Sequence, residues 1–125
     1  MTSISKRGTG KVKVKAIEGS TGYLPKVYID FNKVYPKISK AYTDLGDSCD
    51  GAGPLDKKTL RLVKLGIAIG TNSEGTIRSH TRRALEEGIS PEEIRHVVLL
   101  ALTTAGFHLM IAASRWVEEI LQNTR

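Results

Sequence analysis

Apolar residues along this chain recur at intervals of three and four, the spacing that places side chains on one face of an α-helix. The first such stripe begins at Val27 and ends at Leu45. Pro36 interrupts it, so this proline must either kink one helix or lie in the first turn of a second helix. The pattern therefore predicts helical structure from about residue 27, in one piece or two.

Later segments repeat this periodicity and carry helix boundary signals. Asp56 predicts the start of a helix that residues 70–72 should end. Residues 73–87 predict another helix, and Gly88 suits the left-handed conformation that stops a helix. Residues 90–93 combine a capping serine, a proline at the first helical position and a glutamate at the third, which predicts a further helix start.

Three remaining features complete the predicted fold. Gly106 should separate that helix from a last one over about residues 107–121, and residues 46–54, which include Cys49, are predicted to form a loop. No strand-rich region occurs beyond the first residues of the chain. The sequence therefore predicts an all-α protein, a compact bundle of about five or six helices.

The first 22 residues differ from the rest in composition, being rich in Gly, Ser, Thr and Lys. Five basic residues against Glu18 alone give this segment +4 of the net charge of +6. We predict a flexible basic tail over 1–22 and a single helical domain over 23–125, although the alternation over 11–15 would also suit a short strand or arm. Because the basic charge is concentrated in the tail, the sequence argues against a nucleic-acid partner.

Cysteine usage and hydropathy bear on location. Cys49 is the only cysteine, which excludes an intrachain disulfide and a cysteine zinc cluster. No apolar run approaches the roughly 20 residues that span a bilayer, and no signal-peptide core follows the basic N-terminus. We therefore expect a cytoplasmic protein without membrane attachment, and we predict no metal site.

The helix predicted over 73–87 carries groups suited to acid–base chemistry. Successive residues advance by about 100° around a helix, so Ser73, Thr76 and His80 share one stripe. His80 lies at the edge of this stripe beside apolar Ile77, and partial desolvation there should lower its pKa and favour the neutral form. A neutral imidazole can accept a proton or polarise a carbonyl group. The alternative interpretation is a core histidine with satisfied hydrogen bonds.

Glu74, Arg78 and Arg82 form a second stripe, which lies at least about 120° from His80 around the helix. Either arginine could hold a substrate carboxylate through two parallel hydrogen bonds, and Glu74 could orient Arg78 or transfer a proton. Because Glu74 precedes Arg78 by four residues, the alternative interpretation is an ordinary salt-bridged helix surface.

Five short segments follow one another in an order typical of a known family. They are residues 55–59 before an apolar helix, Arg78-Ser79-His80, residues 82–89, residues 91–94 and the bend at residues 105–107. In this order, residues 55 to about 121 resemble the carboxymuconolactone decarboxylase family, within the alkylhydroperoxidase D superfamily. The resemblance implies an all-α alkylhydroperoxidase D-like fold and a homo-oligomer, a trimer or hexamer with its site near subunit contacts. Tyr28, Tyr35 and Tyr42 recur every seven residues and are candidate contact residues. The simplest interpretation of this spacing is ordinary packing of side chains.

The resemblance also implies a reaction. The family reaction converts a carboxylated muconolactone to an enol-lactone with loss of carbon dioxide, without a metal or organic cofactor, as a lyase in aromatic degradation. The resemblance implies catalysis by His80 and Glu74 and binding of a small acidic substrate by Arg78 and Arg82. We predict that Ser73, Thr76 and His108 also bind the substrate. His108 stands where the family usually has proline, so it is either an additional site residue or a helix-start residue that faces water.

The peroxidase branch of the superfamily carries two redox cysteines and a proton-relay glutamate. The corresponding positions here are Ser73, Thr76 and Arg61, which cannot form a thiolate relay. The sequence therefore favours a carboxymuconolactone decarboxylase-like enzyme and argues against thiol peroxidase activity. The alternatives are a non-catalytic binding or scaffold member of the superfamily and a peroxidase relative that has lost its dithiol.

Overall fold

The computed structural model describes residues 26–123, which form six α-helices and no strand. The helices are α1 (Lys26–Val34), α2 (Pro36–Asp50), α3 (Lys57–Gly70), α4 (Glu74–Glu86), α5 (Pro91–Thr104) and α6 (Phe107–Asn123). The all-α prediction is confirmed. The described residues fall into two compact units, one ending at Pro54 and one beginning at Leu55. The tail predicted over 1–22, with its strand or arm over 11–15, lies outside the described residues, and the single domain over 23–125 stays a prediction.

The first unit contains α1 and α2, which Pro36 separates. This proline occupies the first turn of α2, where its missing N–H would have no helical partner in any case. Of the two options that the sequence left open, the second helix is therefore the one observed. Neither α1 nor α2 contains a buried residue, although both carry an apolar stripe. The exposed residues of this apolar stripe are Val27, Phe31, Val34, Tyr35, Ile38, Tyr42 and Leu45.

The loop predicted over residues 46–54 was wrong in its first half. Helix α2 continues through Gly46 to Asp50, and Gly51 then caps it by donating its N–H to the Asp47 carbonyl at 3.0 Å. One glycine inside a helix costs about 1 kcal/mol, which does not end a helix whose flanking residues keep their hydrogen bonds. Cys49 is consequently helical and exposed rather than part of a loop.

The second unit begins its helices with the caps that the sequence predicts. The Asp56 side chain accepts the Thr59 N–H at 2.8 Å at the start of α3. Ser90 and Glu93 form a reciprocal capping box at the start of α5, in which the Glu93 N–H donates to the Ser90 hydroxyl at 3.1 Å. Hydrogen bonds from Lys58 and then from the Ser90 backbone lower the pKa of the Glu93 carboxyl to about 2. Local chemistry therefore fixes where α3 and α5 start.

Helix α4 ends in a turn built around Gly88. This glycine has φ of +85°, the left-handed region that residues with a Cβ rarely adopt. The Ile89 N–H donates to the Ala84 carbonyl at 2.9 Å, and the Gly88 N–H donates to the Leu85 carbonyl at 3.1 Å. These two bonds form a Schellman motif, which satisfies the last carbonyls of the helix.

Each helix of the second unit contributes a fully buried side chain to one core. Leu65 of α3, Ile77 of α4, Ile94 of α5 and Val117 of α6 are each at most 1% exposed. Burying a side chain of this kind contributes about 1.5–3 kcal/mol to stability. Helix α4 is held by this core, so the orientation of its remaining side chains is fixed. Within residues 26–123, no helix has both the length and the apolar character needed to cross a bilayer.

Candidate functional site

His80 lies on the buried face of α4, three residues after Ile77 and four before Ala84. Both apolar neighbours are fully buried, and the His80 side chain is only 7% exposed. The imidazole therefore occupies the edge of the apolar stripe, as the helical periodicity predicted. A histidine that is buried to this extent needs a polar partner for its ring nitrogens.

That partner is Arg61, which reaches His80 from α3. The Nη1 atom of Arg61 lies 2.7 Å from Nδ1 of His80. The other edge of the guanidinium donates two hydrogen bonds to Glu87, from Nε to Oε1 at 3.1 Å and from Nη2 to Oε2 at 2.8 Å. The side chains of Arg61 and Glu87 are 12% and 18% exposed. Glu87, Arg61 and His80 thus form a chain of hydrogen bonds that is largely shielded from water.

These surroundings keep His80 uncharged. Burial lowers its pKa most, and the positive charge of Arg61 lowers it further, to about 2. Lys64 of α3 and Arg83 of α4 act in the same direction. The imidazole is therefore neutral at any pH near neutrality, which agrees in direction with the shift that the sequence predicted.

The second predicted stripe is divided by the structure. Arg78 donates from Nε to Oε2 of Glu74 at 3.1 Å and from Nη2 to Oε1 of Glu119 on α6 at 2.5 Å. The hydrogen bond from Arg78 lowers the pKa of the Glu119 carboxyl. Arg82, by contrast, is only 4% exposed. The structure therefore brings Glu74 and Arg78 together as an ion pair and places Arg82 in the interior.

The remaining predicted site residues lie nearer the surface. The Ser73 hydroxyl donates to the Thr76 hydroxyl at 2.8 Å in the first turn of α4, so these two side chains bond to each other. His108 is exposed in the first turn of α6, where its ring meets the edge of the Phe107 ring at a centroid distance of 5.9 Å. Its position resembles the second alternative that the sequence left open, a helix-start residue that faces water.

Sequence reasoning did not include Arg61 and Glu87 among the site residues. In the sequence, Arg61 is marked only as the residue that stands where the peroxidase branch has a glutamate. Glu87 follows His80 by seven residues, which is about two helical turns, so it lies on nearly the same side of the helix. The unusual arginine at position 61 and the placement of Glu87 on the same side of the helix as His80 are together the sequence signals for the hydrogen bonds among these three residues.

A cavity of about 220 Å³ lies between α5 and α6, away from this chain of hydrogen bonds. Its lining includes Arg95, Met110 and Glu118, and none of the predicted site residues. In the part of the chain that the structure describes, no three His, Cys, Asp or Glu side chains are grouped closely enough to bind a metal ion.

Comparison with known proteins gives one family and two relatives. An uncharacterized protein of Haemophilus influenzae is 34% identical over 64 residues, which are 51% of this chain and 57% of that protein. The chain therefore spans little more than half the length of that relative. An uncharacterized protein of Methanocaldococcus jannaschii is 30% identical over 87 residues, which are 69% of this chain and 84% of that protein.

The family match covers more of the chain than the resemblance did. Residues 36–119 match the model of the carboxymuconolactone decarboxylase family, so the match includes α2 and most of the second unit. It contains His80, Arg61 and Glu87 together with the predicted substrate-binding residues. On this match and on the all-α fold, the chain belongs to the carboxymuconolactone decarboxylase family.

Proposed function

We propose that this protein is a cofactor-free enzyme that decarboxylates a small carboxylated lactone or a related acid. The observation that carries the proposal is the buried, uncharged His80 in contact with the Arg61 guanidinium. Active sites characteristically shift the pKa of a titratable group by burial and by a specific charged neighbour, and His80 has both. Family membership supports the same reaction class.

The reaction needs a group that stabilises negative charge on oxygen. When the bond between the carboxylate and the ring carbon breaks, its electron pair moves through the unsaturated lactone to the carbonyl oxygen, and carbon dioxide leaves. A proton from solvent then adds to carbon and gives the enol-lactone. We assign His80 to the lactone carbonyl, because a neutral imidazole can hydrogen-bond to the developing oxyanion.

Arg78 and Arg82 are our candidates for binding the substrate carboxylate, with Glu74 orienting Arg78. Arg78 already donates to Glu74 and Glu119, so a substrate carboxylate there would have to replace one of these partners. Arg82 is buried, which suits recognition of an anion shielded from water. Ser73, Thr76 and His108 complete the proposed binding residues.

A second candidate function is a binding or scaffold subunit without catalysis. One observation favours it: His80 is only 7% exposed, and the cavity of about 220 Å³ does not reach it. For the protein to be an enzyme, the substrate or a neighbouring subunit would have to create an opening beside His80. Turnover measurements distinguish the two candidates directly.

Replacing His80 with alanine should lower kcat/KM for a carboxylated muconolactone by about a hundredfold, the usual effect of losing one oxyanion donor. Release of carbon dioxide from purified protein measures this, and circular dichroism checks that the helices remain. The matched control is His96→Ala, an exposed histidine of α5, which should keep full activity. Unchanged turnover in His80→Ala, or no turnover in the unaltered protein, would overturn the proposal.

The same protein should not reduce peroxides with dithiol reductants. Ser73 and Thr76 carry hydroxyls that bond to each other, and neither can form the thiolate and disulfide that this reaction requires. Consumption of an organic peroxide in the presence of a dithiol measures the activity. Robust turnover would contradict this assignment of the two residues.

We also infer that the protein is a cytoplasmic homo-oligomer, a trimer or a hexamer. The exposed apolar stripe of the first unit supports the oligomer, as do exposed apolar residues of the second unit. The latter are Leu55, Val63, Ile67, Leu99, Leu100, Leu102, Phe107 and Ile111. Extended apolar surface of this kind usually marks an interface between proteins.

Light scattering should therefore give a mass of three or six chains. Ile38→Glu, which places a charge on the stripe of α2 at a side chain 57% exposed, should shift the mass toward smaller species. Lys37→Glu, at the preceding exposed position, is the matched control and should leave the mass unchanged. A monomeric unaltered protein would exclude the inference.

A further inference from the structure

We propose that Arg61 and Glu87 are positioning residues that lock His80 in the tautomer protonated at Nε2. His80 then presents a hydrogen-bond donor to the reacting oxygen and does not act as a base. This inference rests on the proposed function for its catalytic meaning, and it concerns two residues to which the family resemblance gave no role in the reaction.

The chemistry of the guanidinium decides the tautomer. Arginine offers only donors and stays protonated in proteins, so an Arg61 Nη1 atom 2.7 Å from Nδ1 of His80 must donate to it. The Nδ1 atom therefore supplies its lone pair and carries no proton. In a neutral imidazole the proton is then on Nε2.

Glu87 makes this contact specific. Its two oxygens accept from Nε and Nη2 of Arg61, which fixes the plane of the guanidinium and directs Nη1 at His80. Its negative charge also offsets the cost of burying Arg61, since an unpaired charge in such a setting is strongly disfavoured. Lysine could not replace Arg61, because one ammonium group lacks the planar fork that serves both partners.

The lock changes the role that histidine can take in the reaction. With Nδ1 facing a cation and Nε2 already protonated, His80 has no nitrogen free to accept a proton. The positive charge beside Nδ1 also polarises the ring and strengthens donation from Nε2. The positive charges of Arg61 and Lys64 on α3 and of Arg83 on α4 each lower the pKa of His80 and so oppose its protonation.

Nitrogen-15 NMR of protein labelled at histidine tests the lock without any substrate. The unaltered protein at pH 7 should show, for His80, a protonated Nε2 and an unprotonated Nδ1. His96→Gln and His108→Gln variants assign the signals of the other two histidines. An Nδ1-protonated ring or an imidazolium at His80 would overturn the proposal.

Two variants then identify what holds the tautomer. Arg61→Met should release it, giving averaged nitrogen signals and a His80 that titrates closer to pH 6.5, the ordinary histidine pKa. Glu87→Gln should loosen the guanidinium and so release the tautomer in part, giving partly averaged nitrogen signals, and it serves if Arg61→Met does not fold. Arg95→Met removes a guanidinium that binds Glu118 with the same two-bond geometry elsewhere, and it should leave His80 unchanged. A His80 that stays fixed in the Nε2-protonated tautomer in both site variants would exclude the lock.

The outcomes separate this inference from the proposed function. If His80 is protonated at Nε2 but the protein does not decarboxylate the substrate, the tautomer inference stands and the proposed reaction is excluded. If the protein decarboxylates the substrate while His80 is protonated at Nδ1, the proposed reaction stands and the tautomer inference is excluded.

Discussion

Lowering the pH from 6.5 to 4.5 is expected to reduce the free energy of unfolding by about 2 kcal/mol through His80 alone. The folded-state pKa of His80 is about 2, whereas the ordinary value is 6.5. Well above pH 6.5, neither the folded nor the unfolded chain binds a proton at this residue. Below it, the unfolded chain binds one that the folded chain excludes, so stability is lost as the pH falls.

Urea unfolding at a series of pH values measures this dependence at a fixed protein concentration, because an oligomer couples unfolding to association. Carboxylates also lose charge in this range, so the comparison with His80→Asn isolates the histidine. Asparagine keeps an acceptor near the position of Nδ1 but cannot be protonated in this range. We expect the stability advantage of the unaltered protein over His80→Asn to shrink by about 2 kcal/mol between pH 6.5 and 4.5. A constant difference would show that His80 titrates alike in both states.

Removing the carboxylate of Glu87 should lower the free energy of unfolding by about 3 kcal/mol at pH 7. The reason is that Glu87→Ala leaves the Arg61 guanidinium, only 12% exposed, without its charged partner. Breaking one side of a buried ion pair is costly, while replacing both sides with apolar groups is often nearly neutral. The double variant Arg61→Met with Glu87→Leu should therefore be more stable than Glu87→Ala.

The Arg95–Glu118 pair supplies the matched control. It has the same two-bond geometry, at 2.7 and 3.0 Å, but its side chains are 42% and 35% exposed. Because water already solvates these groups, Arg95→Ala should cost much less stability in urea unfolding than Glu87→Ala does. Equal losses at both pairs would show that burial does not determine the contribution of the Arg61–Glu87 pair.

Local signals in the sequence predicted most of the helical organisation. The cap at Asp56, the capping box at Ser90 and the stop at Gly88 each act through bonds that span at most five residues. Such short-range effects are readable from a single sequence. Gly46 misled the prediction, since a weak local preference was overridden by the helix around it.

The composition of the candidate site was less accessible. His80 could be singled out, because its burial follows from the periodicity of one helix. Its partner Arg61 is 19 residues away in the chain, and Arg61 is 26 residues from Glu87. Contacts at these separations depend on how α3 packs against α4, which no repeat within either helix encodes. The contact between Arg78 and Glu119 of α6 was not predictable from the sequence for the same reason, since the two residues are 41 positions apart.

The turn at Gly88 links backbone geometry to the protonation of a distant ring. A Cβ at this position would meet no atom within 4 Å, so only the φ of +85° disfavours other residues there. Glu87 immediately precedes this turn, and its carboxylate orients Arg61, which in turn contacts His80. A residue without a side chain thereby influences which histidine nitrogen carries hydrogen. Random mutagenesis scored by turnover would accordingly mark position 88 as sensitive, although nothing at that position touches the imidazole.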